Sequence, residues 1–512
     1  MATSDVLGSL VQLTRLAPAV VIAAVAMGAC SQVSSADGAR LMEWLRSSYE
    51  INMGALLVLA LAAGLYILRT AVPRKPKVSV LDFAVHRPHE SWRFPRSALR
   101  DLCERSGHFT EEDIQFQEKI AYRTGLGDET GVCPAIQAGM DEALGIEPAR
   151  FEFSATCFPA IEDLFAKTGV TPQQVKFIVT NSSLFNPTPS LSAMIMNHFK
   201  MGSDTKNYSL GGMGCSAGVI ALDLAKELLE LHPESYALVV SHENITNNYY
   251  GGKDKSMLIC NCLFRSNGAA ILLSNKAADV KRAKYNIRNI VRTNMAADDV
   301  AYNCVVQTED AERKVGVRLN KDLVKVGARA LRQNMTALGP KVLPWSELAK
   351  FGANSALRSA AKLYKPLAGM LPAGWLDPYT PDFKTAFEFF CIHTGGRGII
   401  DGLEKEMQLN RRQVEPSRAS LYRFGNTSST SVWYELAYVE STQEGVGKGQ
   451  RVWQLAFGSG FKFNSSVLVA NRPVREQHTA WEGFDATAMW ADLDKLEAAA
   501  QAARAMKEKL SS

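Results

Sequence analysis

Cys215 lies in YSLGGMGCSAGVIALDLAKELLE (208–230), after a run of glycines and just before an amphipathic stretch. A thiolate at a helix N-terminus is stabilised by the helix dipole, which lowers the thiol pKa and makes a nucleophile. Free cysteine is also a common buried hydrophobe, so this residue alone leaves both readings open. A catalytic thiol needs partners. The chain has eight histidines: His86, His89, His108, His198, His232, His242, His393 and His478. His198 and His232 fall near predicted helix ends, where imidazole commonly meets carbonyls. His393 differs, because it precedes TGGRG, where the chain can approach a ligand closely, and opens a helix. Asn426, in FGNTSS, also stands at a helix entry; by itself it reads as a cap. The FGSG turn (457–460) offers backbone N–H groups at Gly458, Ser459 and Gly460 that can line an anion site.

These residues need elements to hold them. VKFIVTNSS (175–183) and YALVVSHEN (236–244) read as buried strands rich in β-branched residues. PSLSAMIMNHFK (189–200) reads as a helix opened by proline. TKNYSLGG (205–212) reads as a short strand leading to Cys215, and SAGVIALDLAKELLELH (216–232) as the helix after it. CLFRSNGAAILLSN (262–275) reads as two strands around a turn. The second half repeats the design: CIHTGGRGIIDGLEKEM (391–407), RFGNTSSTSVWYELAYV (423–439), then strand, glycine turn and strand in RVWQLAFGSGFKFNSSVLVA (451–470). Alternating strands and helices with internal duplication predict a layered α/β fold of two pseudo-equivalent halves.

Hydrophobic residues make up 46% and charged residues 21% of the 512, the composition of a folded protein. A net charge of +5 without a basic run or nucleic-acid module excludes a nucleic-acid partner. The nine cysteines are scattered, with no CxxC pair, which argues for reduced thiols facing the cytosol. Cys260 and Cys262, in CNC, do not alone make a tetrahedral metal site. Two uncharged apolar stretches, within about 9–30 and 51–70, suit a hairpin of two membrane spans, each needing roughly twenty residues. Arg69, Arg74, Lys75 and Lys77 follow the second, so the positive-inside rule places the body in the cytosol. The alternative is that one stretch is a buried core helix.

Long runs give a more specific signal than any short motif. FNPTPSLSAMIMNHFKMGSDTKNYSLGGMGCSAGVIALDLAKELL, NMTALGPKVLP, PDFKTAFEFFCIHTGGRGIIDGLEK and RFGNTSSTSVWYELAYVE resemble the plant-type, membrane-bound very-long-chain 3-ketoacyl-CoA synthases from about residue 78 to 472. The resemblance implies a thiolase fold, two βαβαβαββ halves in five layers, and a Cys215–His393–Asn426 triad. It implies decarboxylative condensation of a long-chain acyl-CoA with malonyl-CoA, with no metal, nucleotide or flavin cofactor. The oxyanion donors would be the backbone N–H groups of Cys215 and Ser459, in the turn formed by Gly458 and Gly460. It also implies a homodimer on the endoplasmic reticulum membrane, in contact with lipid and with other elongase enzymes.

The expected organisation is an anchor (1–77), a nucleophile half (78–345), a linker or surface excursion that meets the membrane or merely connects (346–380), a His/Asn half (381–475) and a peripheral helical tail (476–512). Plant relatives often carry histidines where this chain has Asn294, Phe389 and Tyr422, so no catalytic role at those positions transfers. Three other readings compete. A papain-like thiol hydrolase shares the Cys, His, Asn order, but its cysteine lies near a mature N-terminus. A type III polyketide synthase shares fold and triad without a hairpin. A silent elongase scaffold would not need the triad intact.

Overall fold

The computed structural model describes residues 76–139, 143–372, 374–442 and 444–511, with Ala60, Leu61, Ala62 and Gly64. The chain divides into two compact units, Met1–Lys75 and Pro76–Ser512. The predicted apolar spans fall outside the described residues except at those four positions, which are helical. Among described residues no helix is long and apolar enough to cross a membrane.

The second unit is built on one mixed sheet of nine strands. The first half supplies β1 (Ser79–Val85), β2 (Val175–Asn181), β3 (Lys206–Leu210), β4 (Tyr236–His242) and β5 (Gly268–Ser274). The second supplies β6 (Tyr285–Asn294), then, after a separate hairpin of β7 (Val305–Glu309) and β8 (Val315–Leu319), β9 (Phe389–Ile392), β10 (Arg451–Gly458) and β11 (Lys462–Ala470). The order is β3-β2-β4-β5-β1-β6-β11-β10-β9. Read outward from the β1–β6 junction, the halves mirror each other: β1 matches β6, β5 matches β11, β4 matches β10, and β2 matches β9. The junction is narrow, with only Ser79 opposite Asn286 and Val80 opposite Tyr285.

Strand residues alternate between two apolar layers, so both faces of each half are covered. In β2, Phe177 and Val179 face a central cluster while Ile178 faces an outer one. The outer layer of the first half is α1 (Ile146–Thr168) and α2 (Leu191–Phe199), through Phe153, Ile161, Leu164 and Ile195. The central layer includes α3 (Ala217–Leu231). After α4 (Lys255–Leu263) come α5 (Leu323–Val342), α6 (Trp345–Leu363), α7 (Arg397–Met407), α8 (Arg411–Phe424), α9 (Ser431–Ser441) and α10 (Ala486–Ser511). Here α9 joins α3 in the centre, while α5 and α7 cover the outside of the second half. The stack of helices, half-sheet, helices, half-sheet and helices has the five layers expected.

Three expectations need adjustment. Residues Cys262 and Leu263 end α4, and Phe264 makes only a single bridge, so CLFR is not a strand. Asp254 caps that helix by accepting from the Ser256 amide, a start signal that outweighs the apolar run. The second half has no described counterpart of β3; the chain between α8 and α9 instead makes one parallel bridge, Asn426 to Phe264. The C-terminal segment is a helix, as expected, but Trp481, Met489 and Leu493 are buried in the central cluster.

Candidate active site

Two parallel-strand ends and one helix end deliver the three predicted side chains. Cys215 follows β3 and immediately precedes α3, with Ser216 at the cap position. His393 follows β9, and its amide extends the ladder by donating to Leu455 O at 2.9 Å. Asn426 follows α8, whose C-terminal Gly425 adopts φ +75°. Its amide donates to Leu263 O and its carbonyl accepts from the Arg265 amide, each at 3.0 Å. Ligands gather at the carboxyl ends of strands in open α/β sheets, and Cys215 and His393 occupy such positions in the two halves.

Ser428 links the group. It has φ +54°, a left-handed conformation that costs a non-glycine residue. Its amide donates to Asn426 Oδ1 at 2.8 Å, so the Asn426 N–H₂ is the end left to donate to a ligand. Its hydroxyl donates to Glu243 Oε2 at 3.2 Å and also meets the Cys215 thiol. Its carbonyl accepts from Ser431 Oγ at 3.0 Å. Ser431 Oγ also lies 2.7 Å from His393 Nδ1. A hydroxyl has one proton to give, and Ser431 gives it to Ser428. His393 Nδ1 must therefore carry the proton that reaches Ser431, leaving Nε2 as the acceptor.

The electrostatics depart from the sequence reading. Burial pushes the Cys215 thiol up to about 12; the Ser428 contact opposes this and the Glu243 charge adds to it. Burial also lowers His393 to about 3, against a contact with the Ser428 backbone that favours the charged form. Burial thus favours the neutral thiol and the neutral imidazole in the free site. Each charged form would lose its hydration in this buried site. Glu243 is itself buried and raised by desolvation, while the Ser183 and Leu184 amides donate to it at 2.9 and 3.0 Å.

The FGSG turn presses directly on the cysteine loop. A Cβ on Gly458 would stand 2.5 Å from the Cys215 amide nitrogen, and one on Gly214 would stand 2.6 Å from that of Ser459. Only glycine permits this approach, which sets the Cys215 and Ser459 amides at one locus. Gly460 ends the turn at φ +112°. Gly218 does the same for the nucleophile helix, since its Cβ would meet Ser429 O at 2.4 Å. The Phe457 ring meets His393 edge-on at 4.8 Å and stacks with Phe461 and Phe463. Those three rings, with Leu331, Ile399 and Leu403, line an apolar cavity of about 130 Å³. A larger groove of about 770 Å³ between α7, α8 and α10 is lined by charged side chains and none of the triad.

The sequence reading missed Ser428, Ser431 and Glu243. Glu243 was detectable as a carboxylate at the end of an otherwise apolar strand, in VVSHEN. Phe389, Tyr422 and Asn294, set against histidines by the family resemblance, are scattered. Phe389 opens β9 at the end opposite His393, Tyr422 OH lies 3.1 Å from Asp492, and Asn294 pairs with Lys462 beside the FGSG turn. Cys260 and Cys262 donate to the Val317 and Gln117 carbonyls. The carboxylates of Glu440 and Glu476, which with His478 have metal-like spacing, already hold the Lys284 ammonium, at 2.8 and 2.5 Å.

Comparison with known proteins decides the family. Residues 70–360 match the model of FAE1/type III polyketide synthase-like proteins, and 381–471 that of the chalcone and stilbene synthase C-terminal domain. The chain is 48% identical over 410 residues to 3-ketoacyl-CoA synthase 11 of Arabidopsis thaliana, covering 80% of this chain and 78% of that one. It is 45% identical over 440 residues to 3-ketoacyl-CoA synthase 4 of the same plant, covering 86% and 82%.

The chain belongs to the 3-ketoacyl-CoA synthase family.

Two solved structures carry the same fold. One is a fungal type III polyketide synthase, ORAS (TM-score 0.58, 19% identity), and the other a mutant form of CsyB (0.57, 18%). Each is covered entirely by 77% of this chain. A thiolase-like fold removes the papain-like reading. The remaining distinction, synthase from polyketide synthase, rests on sequence identity, because the fold is common to both.

Proposed function

We propose that this 3-ketoacyl-CoA synthase catalyses the condensing step of very-long-chain fatty acid elongation through Cys215, His393 and Asn426. The observation that carries this is the Ser428 hub, which touches all three side chains or their direct partners. In the first half-reaction His393 Nε2 takes the Cys215 proton as sulfur attacks the acyl-CoA thioester. The Cys215 and Ser459 amides hold the developing oxyanion. CoA leaves as thiolate and is protonated by solvent, and the acyl group stays on sulfur. The imidazolium, costly in the free site, is now offset by the negative charge forming beside it.

Malonyl-CoA then loses CO₂, and the electron pair passes to its α-carbon and thioester oxygen. His393 Nε2–H and the Asn426 N–H₂ donate to that oxygen. The carbanion attacks the acyl carbonyl, 3-ketoacyl-CoA departs, and the Cys215 thiolate recovers its proton from His393. Protons and electrons balance without a metal or redox cofactor. Incubation with labelled malonyl-CoA and a panel of acyl-CoAs should yield 3-ketoacyl-CoA two carbons longer than the primer. Repeated extension on the enzyme to a cyclised product would instead support a polyketide synthase.

The enzyme sits as a homodimer on the endoplasmic reticulum membrane, held by two spans within 9–30 and 51–70, with its catalytic unit in the cytosol beside partner elongase enzymes. The charges at Arg69, Arg74, Lys75 and Lys77 support this orientation. Protease added to sealed microsomes should digest the catalytic unit; protection until detergent is added contradicts the topology.

A further inference from the structure

Helix α6 buries a carboxylate on its inward face and leaves an uncharged stripe outward, while Leu348 packs against the second-half core. Glu347 is buried; it accepts from Tyr379 OH at 2.6 Å, the Asp382 amide at 2.9 Å and Lys350 Nζ at 2.8 Å. Asn354, two turns further along, donates to the Trp375 and Asp377 carbonyls at 3.2 and 3.0 Å. Ala361 completes this inward face. At a period of 3.6 residues, the opposite face carries Trp345, Ala349, Gly352, Ala356, Ala360 and Leu363, all exposed and none charged. Trp345 is 62% and Leu363 93% exposed. The chain beyond the helix adds Tyr364, Met370 (78%) and Trp375 (57%).

The charges are as one-sided as the apolar residues. From 345 to 375 the only acid is Glu347, which is buried and paired, while Lys350, Arg358, Lys362 and Lys365 are basic. Arg358, Lys362 and Lys365 form no ion pair among the described residues. On the helical wheel Lys350 and Lys362 fall on opposite sides of the apolar stripe.

We infer that α6 and residues 364–375 form a surface that lies in the interface of an anionic lipid bilayer. An outward apolar face flanked by lysines, with tryptophan and tyrosine at its borders, is the pattern that beds into headgroups. Lysine stems cover apolar surface while their ammonium groups reach phosphate. A second copy of this chain is a poor occupant, because an isologous contact would set this all-positive surface against itself. The surface includes none of the residues placed around Cys215. It would hold the second half of the catalytic unit against the phase in which long acyl chains dissolve.

The test is hydrogen exchange of peptides from 345–375, measured on the full chain in vesicles. Phosphatidylcholine alone is compared with a mixture containing about a third phosphatidylserine, whose negative surface potential attracts basic residues. The anionic vesicles should slow exchange in this segment severalfold, and about 0.5 M salt should reverse much of that. Leu363→Gln with Met370→Gln should abolish the slowing while acylation of Cys215 proceeds at the original rate. Equal exchange in both vesicles overturns the inference. So does slowing that follows protein density rather than lipid charge, which would mark a contact between copies. Slowing that survives the double substitution also overturns it.

Discussion

Asn426 and His393 divide the chemistry at the scale of single residues. The Asn426 amide donates hydrogen bonds but neither takes nor releases a proton near neutral pH, so in the proposed mechanism it serves the enolate and not the thiol. Asn426→Ala should still acylate Cys215 while condensation falls by about a hundred- to a thousandfold, the usual cost of one oxyanion donor. Rapid-quench assays of the two half-reactions check this; equal loss of both contradicts it. The thiol gives a second test. Because burial holds Cys215 up to about 12 and His393 down to about 3, the free enzyme carries little thiolate at neutral pH. Its alkylation by iodoacetamide should rise about tenfold per pH unit from about 6 to 9, without a plateau. A plateau below about pH 7 would mean a preformed thiolate–imidazolium pair. The triad was legible only through the family resemblance, because taken singly Cys215 also reads as a packed thiol and Asn426 as a cap. The sequence did not reveal their protonation, which depends on burial created by distant strands.

At the scale of elements, the junction between the two halves has only two register pairs, and side chains reinforce it. Lys284, just before β6, is buried with Asp82 of β1 at 2.7 Å, Glu440 of α9 at 2.8 Å and Glu476 at 2.5 Å. Tyr285 OH and His478 Nε2 reach Glu440 at 2.7 Å each. Desolvation disfavours the charges, but the surrounding carboxylates win and hold the Lys284 ammonium above the ordinary lysine range. Glu476 is held down to about 2, where burial is outweighed by Lys284 and Lys167. A depressed carboxyl stabilises the fold above its unfolded pKa, and that part is lost as pH falls toward about 2. The raised Lys284 contribution is complete below the unfolded lysine pKa and fades only above it. Lys284→Met leaves buried carboxylates uncompensated and should cost about 3–5 kcal/mol in urea unfolding at neutral pH. A change under about 1 kcal/mol would show that the cluster does not secure the junction. None of this was legible in the sequence, because its members come from four separate segments. The strands around Cys215 were legible, because β2, β4 and β5 are continuous apolar runs. Phe264 was misread, because the same apolar run CLFR suits a helix end as well as a strand.

At the scale of the whole molecule, duplication was visible as a repeated order of elements, and the mirrored sheet bears it out. The lost third strand was not visible, because the Asn426 loop keeps the small and polar composition of its counterpart around Cys215. In the proposed mechanism the two halves divide the labour: the first supplies the nucleophile, and the second the imidazole, the amide and the FGSG turn. The central claim is that an acyl–Cys215 intermediate connects the two half-reactions. Peptide mass analysis after incubation with a long-chain acyl-CoA alone tests it most directly. The account predicts one acyl group, on the peptide containing Cys215, that malonyl-CoA then discharges as 3-ketoacyl-CoA. An acyl group on any other cysteine, or an adduct that persists in Cys215→Ala, would contradict it.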